Sequence, residues 1–260
     1  MIDPRLNGQN VLVTGGAGGI GAAISRAFAA QGARVAVHYL AQDAAAPAGT
    51  EWAHITPGAE AAEKFARELG NGSFAISADL SEPDAARRLA EAVARRAGSI
   101  NVLVNNAAHC ETLDDIDTLT HGSLLRHYRV NAIAPALPTG EVVRLRRGDE
   151  PLCIVNISTD AARAFPGQTG YGTSKGALEA LTRSSALDLA PRGIRVNAVA
   201  PGPVQTGWMD EDILAQATQV VPMGRVGEPG NIADAVVHLA SHQARWITGQ
   251  VLQVPGGHAL

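Results

Sequence analysis

Short apolar runs of strand length alternate along this chain with longer segments in which apolar residues recur at helical spacing. The strand-length runs are rich in Val and Ile and apolar on both faces; they cover Asn10–Thr14, Arg34–Tyr39, Ser73–Ala78, Ile100–Asn105, Leu152–Ile157, Ile194–Ala200 and Val251–Val254. The helical segments cover Gly19–Gln31, Ala59–Leu69, Pro83–Ala97, about Ile116–Leu145, Gly170–Ala190 and Pro229–Ser241. Strands with two apolar faces are typical of a parallel sheet with helices on each side. The alternation therefore predicts a doubly wound α/β fold with right-handed crossovers.

Two segments depart from this pattern. Ala41–Gly58 is longer than an ordinary connection between a strand and its helix, and we expect a surface excursion there. Pro135, Pro138 and Gly140 fall inside the fourth crossover helix. Because a proline inside a helix costs about 3 kcal/mol, we expect that helix to be kinked or broken at this point.

Composition limits the class of protein. The chain has 260 residues, of which 46% are apolar and 18% charged, and its net charge is −4. These values exclude a mainly disordered chain and disfavour a basic nucleic-acid binder or a polybasic membrane surface. Because no linker or repeat divides the sequence, we expect one domain over residues 1–260. The low cysteine content and the lack of a long apolar run favour a reduced, cytoplasmic location with no membrane span. No ligand spacing among histidines and cysteines indicates a metal site.

A glycine-rich turn, Thr14–Gly21, follows the first predicted strand and opens the first helix. Glycines let a backbone approach a pyrophosphate closely, and a helix N-terminus offers unpaired N–H groups with a partial positive charge. A plain structural turn is the alternative, but the position within a βαβ unit favours a dinucleotide site. We expect contacts from Gly15, Gly19, Ile20 and Gly21.

The end of the second strand bears on the choice between NAD and NADP. An acidic residue there would bond to the ribose hydroxyls, whereas a basic one would accept a 2′-phosphate. This chain has His38, Tyr39 and Leu40 instead. The missing acid removes a repulsion against phosphate, so the sequence favours NADP(H) over NAD(H). His38 is either a donor to that phosphate or a strand-end residue without a ligand.

The ends of the third and fourth strands add further cofactor positions. Asp79, followed by Leu80, could accept a hydrogen bond from an adenine amino group, and capping of the next helix is the alternative. Asn106 lies in the small-residue segment Asn105–Ala108, where a cofactor could cross the strand tips or the chain could simply turn.

Tyr171 and Lys175 are spaced to share one helical face. A phenol with a pKa near 10 is a poor base at neutral pH, but a fixed cation and a helix N-terminus both favour the phenolate. Lowering that pKa by about 3 units needs about 4 kcal/mol. Tyr171 could then exchange a proton with an alcohol or ketone while a hydride moves. Ser158, thirteen residues earlier, ends the fifth strand, at the edge where open α/β sheets bind ligands.

Taken in order, these motifs make the chain similar to the short-chain dehydrogenase/reductase family, in its compact single-domain branch and over nearly the whole length. The family pattern Thr-Gly-x-x-x-Gly-x-Gly falls on Thr14, Gly15, Gly19 and Gly21. The family pattern Asn-Asn-Ala-Gly falls on Asn105–Ala108, with Ala108 in place of glycine. The family's catalytic set falls on Asn131, Ser158, Tyr171 and Lys175. Later matches are Pro201, Gly202 and Thr206, then Ile247–Gln250, then Gly256 and Gly257. The resemblance implies a three-layer Rossmann fold with a seven-stranded parallel sheet.

The resemblance also implies a role for each residue. Tyr171 would be the acid/base, and Lys175 would hold the nicotinamide ribose and lower the phenol pKa. Ser158 would bond to the substrate oxygen, and Asn131 would hold a water next to Lys175. Thr206 would position the carboxamide beside the Val204 backbone, after Pro201 and Gly202. Family members are commonly tetramers, so we expect a homo-oligomer, either a tetramer or a dimer, although the prolines in the fourth helix put the tetramer geometry in doubt.

The substrate is less constrained. The sequence resembles those of 3-oxoacyl-carrier-protein reductases, and this resemblance implies a substrate loop near residues 201–225. We expect the pocket to be lined by His109, Cys110, Glu111, Thr159, Asp160, Phe165, Gln168, Pro203 and Trp208. Because several of these are polar, a sugar or polyol is the alternative substrate. Asp114, Asp115 and Asp117 are interpreted as a solvated face. A dinucleotide-binding sensor without turnover is the alternative from another class, and the intact catalytic set argues against it.

Overall fold

The computed structural model describes residues 3–54, 56–163, 166–207 and 209–258. Its strands are β1 (Asn10–Val13), β2 (Arg34–Tyr39), β3 (Glu51–Trp52), β4 (Phe74–Ser77), β5 (Val102–Asn105), β6 (Glu111–Thr112), β7 (Cys153–Ile157), β8 (Arg195–Pro201) and β9 (Val251–Val254). Seven of them form one parallel sheet in the order β4-β2-β1-β5-β7-β8-β9. The order reverses between β1 and β5, and ligands bind at such a switch point in open α/β sheets. The predicted fold class is confirmed.

Helices cover both faces of this sheet. They are α1 (Gly19–Ala30), α2 (Ala59–Glu68), α3 (Ala85–Ala97), α4 (His121–Tyr128), α5 (Ala134–Leu145), α6 (Thr169–Leu189), α7 (Glu211–Val220) and α8 (Pro229–Ala240). One apolar core lies on the face covered by α1 and α8, and includes Val13, Phe28 and Val236. A second core lies on the other face, under α3, α5 and α6, and includes Leu12, Leu103 and Ile154. Neighbouring residues of one strand thus enter opposite cores, as a doubly covered sheet requires.

The fourth crossover differs from the expected kinked helix. Helical structure begins at His121, where Thr120 caps α4, and not at Ile116. A π-helical turn, Arg129–Ile133, then leads into α5, which continues through Pro138 to Leu145. The π-helical turn ends two residues before Pro135, and α5 then continues through Pro138. The departure from regular α-helical geometry therefore precedes the prolines, and the helix is not broken at them.

The excursion at Ala41–Gly58 is partly ordered into a strand. Its β3 pairs antiparallel with β6, the short strand that follows β5, and together they form a separate two-stranded sheet. The Ala53 N–H donates to the Cys110 carbonyl at 2.9 Å and extends this pairing. The excursion is therefore attached to the loop that follows β5.

Helix α7 lies in the predicted substrate loop and was not expected from the sequence. None of its residues is buried, so it carries no core-facing apolar pattern that a periodicity argument could detect. In the described ranges, no helix combines the length and the apolarity needed to cross a bilayer.

Candidate active site

The glycine-rich turn Thr14–Gly21, named the phosphate turn, is shaped to receive a phosphate group. Gly15 and Gly19 adopt φ values of +59° and +49°, a region that favours glycine. A Cβ on Gly21 would lie 2.0 Å from the Gly15 carbonyl oxygen, so no side chain fits there. Gly18 precedes α1 and provides no side-chain cap. The first N–H groups of α1, from Gly19 through Ile20 to Gly21, are therefore available to an anion.

The end of β5 supports this turn. The Asn106 side-chain amide donates to the carbonyl oxygens of Thr14 and Gly15 at 2.9 and 3.0 Å. In return, the Thr14 hydroxyl accepts hydrogen bonds from the backbone N–H groups of Asn106 and Ala107. Asn106 thus holds the turn in shape, and a direct contact with a cofactor stays a prediction.

His38 supports the same turn through hydrogen bonds inside the protein. Its Nδ1 accepts from the Gly15 N–H at 3.0 Å, and its Nε2 lies 3.0 Å from the Ala78 carbonyl. Both ring nitrogens are therefore used inside the protein, and only 3% of the residue is exposed. Burial lowers the pKa of His38 to about 4, so the ring is neutral. Of the two interpretations of His38, these contacts favour the strand-end residue without a ligand, because both ring nitrogens are already bonded within the protein.

The other predicted adenosine contacts lie around the ends of β2 and β4. Tyr39 is buried, Leu40 is half-buried, and Asp79 is exposed next to half-buried Leu80. The Asp79 carboxylate accepts from the Ser81 N–H at 2.9 Å, which stabilises the turn after the strand. These residues stay candidates for the adenosine half of a cofactor.

The segment after β8 faces the glycine-rich turn. Pro201 is the last residue of β8, and half-buried Gly202 follows it. A Cβ on Gly19 would lie 3.4 Å from the Thr206 side chain, so that side chain lies directly against the turn. Val204 is buried and bridges to Gly227. The predicted positions thus meet across one cleft at the carboxyl edge of the sheet.

Tyr171 and Lys175 lie in the first two turns of α6, above the end of β7. The Lys175 Nζ is 5.8 Å from the centre of the Tyr171 ring. It donates to the Ile157 carbonyl at 2.8 Å, and Lys175 is 1% exposed. The predicted ammonium–phenol pair is therefore present on one helical face.

The first turn of α6 is held by a buried carboxylate. Asp114 accepts from the backbone N–H groups of Gly170 and Tyr171 at 2.7 and 2.8 Å. A Cβ on Gly170 would lie 2.7 Å from this carboxylate and 2.9 Å from His127, so only glycine fits. Asp114 is 5% exposed, so its assignment to a solvated face is wrong. It caps a helix distant in sequence, a role that no local pattern indicates.

The pKa of Tyr171 differs from the expectation. Burial of the phenol raises the pKa of Tyr171 above its usual value, and Cys110 and Asp160 add to the rise. The expected lowering of the Tyr171 pKa is wrong, because the cost of burying a phenolate exceeds the help from a cation 5.8 Å away. Burial also lowers the pKa of Lys175 to about 8. Near neutral pH, the phenol of Tyr171 therefore carries its proton.

Asn131 lies in the π-helical turn and is fully buried. Its Oδ1 accepts from the His109 N–H, and its Nδ2 donates to the His109 carbonyl, both at 2.8 Å. The same Nδ2 lies 3.0 Å from the Ser174 hydroxyl, next to Lys175 in the chain. Asn131 thus fastens the loop after β5 to α6, and the water expected on it stays a prediction.

Ser158 and Thr159 follow β7 and differ in their surroundings. The Ser158 hydroxyl donates to Glu179 Oε1 at 2.8 Å, and both residues are buried. Thr159 is half-buried, and its hydroxyl makes two contacts of 3.3 Å, accepting from the Ala161 N–H and donating to Asp160. The predicted role of Ser158 toward a substrate stays a prediction, since its hydroxyl is bonded to α6 in this structure.

Several of the polar residues predicted to line the pocket are bonded to other side chains of the protein. His109 bonds to Glu111 at 2.9 Å, and Arg126 holds the same carboxylate with two hydrogen bonds. Asp160 bonds to His258 at 2.6 Å. Gln168 is half-buried just before α6, whereas Phe165 and Trp208 lie outside the described residues. No cluster of metal-ligating side chains occurs in the described ranges.

The sequence prediction missed the contribution of the excursion. A row of aromatic rings leads from β3 toward Tyr171: Trp52 and His54 contact His109, His109 contacts His127, and His127 contacts Tyr171, with ring centres 4.8 to 6.4 Å apart. His54 is in turn bonded to Asp43 at 2.7 Å. The available signal was the unusual length of the excursion together with its tryptophan and histidine.

The geometry fits a nicotinamide dinucleotide. The phosphate turn admits no side chain at Gly21, the N–H groups of α1 have no side-chain cap, and the Thr206 side chain lies against the turn. Such a group would extend from the ends of β2 and β4 toward Tyr171 and Lys175.

Comparisons with known proteins agree with this arrangement. A family model described as enoyl-(acyl carrier protein) reductase matches residues 15–259. Glucose 1-dehydrogenase of Gluconobacter oxydans is 35% identical over 265 aligned residues, which cover 98% of this chain and 94% of that protein. A short-chain dehydrogenase/reductase from Serratia marcescens has a TM-score of 0.85 at 34% identity, covering 98% of this chain and 99% of that one. The angucycline C-6 ketoreductase LanV, solved with bound NADP, has a TM-score of 0.83 at 32% identity, covering 98% and 97%.

The seven-stranded sheet, the phosphate turn and the Tyr171–Lys175 pair occur together with similarity over nearly the full length of these proteins. The chain belongs to the short-chain dehydrogenase/reductase family and is an NAD(P)-dependent oxidoreductase.

Proposed function

We propose that this protein interconverts a ketone and a secondary alcohol with NADP(H), with Tyr171 as the proton donor in the direction of reduction. The observation that carries the proposal is the position of Tyr171 and Lys175 at the end of β7, with the ammonium group 5.8 Å from the phenol ring. The raised pKa of Tyr171 keeps its proton on the phenol. A protonated phenol is the form that can protonate a ketone oxygen.

In reduction, the bound cofactor would supply a hydride to the carbonyl carbon. Tyr171 gives its phenolic proton to the carbonyl oxygen, so the ketone gains one hydride and one proton and becomes an alcohol. Lys175 then lies close to the phenolate that forms and stabilises its negative charge. Asn131 joins the loop after β5 to α6 and keeps this helix end in place.

The preference for NADP(H) rests on the end of β2. His38, Tyr39 and Leu40 carry no acid that would repel a 2′-phosphate. The first carboxylate after the strand, Asp43, is already bonded to His54 and Thr56 at 2.7 and 3.0 Å. NADP in the ketoreductase LanV, which is similar to this chain, supports the same choice. Titration of cofactor fluorescence should give a lower Kd for NADPH than for NADH, and a lower Kd for NADH would reverse the assignment.

The first substrate class to test is a 3-oxoacyl thioester, as the sequence resemblance implies. A sugar or polyol is the second, favoured by the Asp160–His258 pair and by His109 and Gln168 around the cleft. Carboxylates and imidazoles can form hydrogen bonds with the hydroxyl groups of a polyol, whereas an acyl chain offers them no hydrogen-bonding group. The similarity to a glucose dehydrogenase points in the same direction. The segment 201–225, which includes α7, is the proposed substrate loop.

The proposed assembly is a homo-oligomer, a tetramer or a dimer, of a single-domain chain in the cytoplasm. Trp246 is 96% exposed, and Ile133, Leu137 and Leu252 also expose large apolar side chains. Ile133 and Leu137 lie four residues apart along the helical segment that ends in α5, and contiguous exposed apolar side chains mark protein–protein contacts. Cys110 and Cys153 are free thiols, which is consistent with a reducing compartment. Sedimentation analysis of the purified chain tests the assembly.

The experiment that tests the activity compares the wild-type protein with the variant Tyr171→Phe. Ketones, 3-oxoacyl thioesters and polyols are assayed with both cofactors by absorbance of the reduced nicotinamide. We expect Tyr171→Phe to lower kcat by about 10²- to 10⁴-fold, the range for loss of a general acid, with an unchanged cofactor Kd. A wild-type rate in the variant would refute the assignment. Cofactor binding with no turnover of any substrate by the wild type would favour a non-catalytic sensor.

A further inference from the structure

We propose that Thr159, and not Ser158, supplies the hydroxyl group that bonds to the substrate oxygen, and that Ser158 positions β7 against α6. The inference rests on the proposed ketone chemistry and concerns which of two neighbouring hydroxyls takes part in it. The spacing of Ser158 from Tyr171 predicts the serine; the contacts in the structure favour the threonine.

The first argument is the direction of the Ser158 side chain. Alternate residues of β7 face the second core and α6. Asn156 donates to the Thr182 hydroxyl at 2.8 Å, and Ser158 continues the same row and donates to Glu179 at 2.8 Å. Glu179 is eight residues beyond Tyr171, which is about 12 Å along the helix axis. The Ser158 hydroxyl is therefore directed at the body of α6 and not at its first turn.

The second argument is the use of that hydroxyl. A hydroxyl has one proton, and the Ser158 proton is donated to a carboxylate inside the protein. Ser158 is 3% exposed and Glu179 is 9% exposed. Bonding to a substrate would take this donor from Glu179 and leave a buried carboxylate oxygen without it, which is unfavourable.

The third argument is the level of Tyr171 above the sheet. A Cβ on Gly172 would lie 2.6 Å from the Ala161 carbonyl oxygen, so the turn after β7 touches α6 next to Tyr171. The charge of Asp160 also acts on the Tyr171 phenol. Thr159 begins this turn, in extended backbone, one residue before Asp160. The first turn of α6 is thus level with the Thr159–Ala161 segment, above Ser158.

The Thr159 hydroxyl can supply a hydrogen bond at that level. Thr159 is half-buried and precedes Asp160, whose charge acts on the Tyr171 phenol, whereas Ser158 is buried. Its oxygen accepts from the Ala161 N–H, and its proton makes only a 3.3 Å contact with Asp160. A substrate carbonyl oxygen can replace that long contact, while the bond from Ala161 keeps the hydroxyl in place.

The test compares Thr159→Val, Thr159→Ser and Ser158→Ala with the wild type, using a ketone found active in the substrate screen. Valine keeps the branched shape of threonine without its hydroxyl. We expect Thr159→Val to lose about 10²- to 10³-fold in kcat/KM, the range for loss of one hydrogen-bond donor to a reacting oxygen. Thr159→Ser should recover activity to within a few fold. Ser158→Ala should retain kcat/KM within a few fold but unfold at a lower temperature.

Cofactor Kd and circular dichroism are measured for every variant to verify the fold. The proposal requires Ser158→Ala to exceed Thr159→Val in kcat/KM by at least about 30-fold, with serine restoring the activity at position 159. A smaller ratio, the reverse order, or no recovery with Thr159→Ser overturns it. If the wild type turns over no ketone or alcohol, the proposed function fails and this inference fails with it. An active wild type with the wrong ratio refutes the inference alone.

Discussion

Lys175 gives a stability prediction that can be worked from the structure. The residue is 1% exposed, and burial lowers its pKa from 10.5 to about 8. A shift of one unit corresponds to about 1.36 kcal/mol, so the charged ammonium costs the folded state about 3 kcal/mol relative to the unfolded chain. Between pH 8 and 10.5 the unfolded chain binds this proton and the folded chain does not. The free energy of unfolding should therefore rise with pH across this window.

The variant Lys175→Met removes this linkage. Integrating the titration between pH 7 and pH 10 gives a gain of about 2 to 3 kcal/mol for the wild type relative to the variant. The comparison cancels the titration of other groups, and the raised pKa of Tyr171 keeps that phenol neutral over the range. The absolute effect at one pH is less informative, because methionine also leaves the Ile157 carbonyl without its donor, at a cost of about 1–3 kcal/mol.

The assay is urea unfolding at pH 7 and pH 10, with the free energy extrapolated to zero denaturant. Lys64→Met is the matched control, because the Lys64 side chain is 73% exposed and pairs only loosely with Glu68. Lys64→Met retains Lys175, so we expect the difference in the free energy of unfolding between wild type and this control to stay constant with pH. If the difference between wild type and Lys175→Met changes by less than about 0.5 kcal/mol over this range, the ammonium is solvated in the folded protein and the reasoning is wrong.

Three further predictions concern other contacts. Gly21→Ala should raise the cofactor Kd at least about tenfold, since its Cβ would lie 2.0 Å from a backbone oxygen of the phosphate turn, while Gly230→Ala, with open space around it, should not; equal values by fluorescence titration would contradict this. Asp114→Ala should lower the free energy of unfolding by about 1–2 kcal/mol, because α6 loses its helix cap. The exposed control Asp117→Ala should lower it by about 0.5 kcal/mol or less. Similar losses for the two variants in urea unfolding would contradict the capping role. Burial raises the pKa of Cys110 to about 11. At pH 8 its alkylation by iodoacetamide should therefore be at least about 100-fold slower in the folded than in the unfolded protein. Comparable alkylation rates, measured by mass spectrometry, would show that the folded protein has an accessible thiolate.

The sequence predicted the sheet well because each strand is apolar on both faces and lies between turn-forming residues. Arg34–Tyr39 and Val251–Val254 have the predicted limits. Helix α7 was missed because it buries no residue and so carries no core-facing pattern. Local patterns report burial against a core, and an exposed helix does not leave that signal.

The site was predicted at the level of motifs and less well at the level of contacts. Tyr171 and Lys175 share a face because helical spacing is fixed by geometry. The capping of α6 by Asp114 joins residues 56 positions apart, and the contact of Ser158 with Glu179 depends on which side of β7 faces α6. The burial that raises the Tyr171 pKa is likewise set by distant parts of the chain. None of these is encoded in local spacing.

The pairing of β3 with β6 attaches the Ala41–Gly58 excursion to the loop that follows β5, so a change in one alters the surroundings of the other. The excursion contributes Trp52 and His54, whose rings contact His109. Among its described residues, none makes a hydrogen bond that holds the phosphate turn or Lys175. We therefore expect an exchange of this segment to change the surroundings of His109 and to leave those hydrogen bonds in place. In a chain arranged in this way, the excursion can vary in sequence while α6 and the phosphate turn keep their contacts.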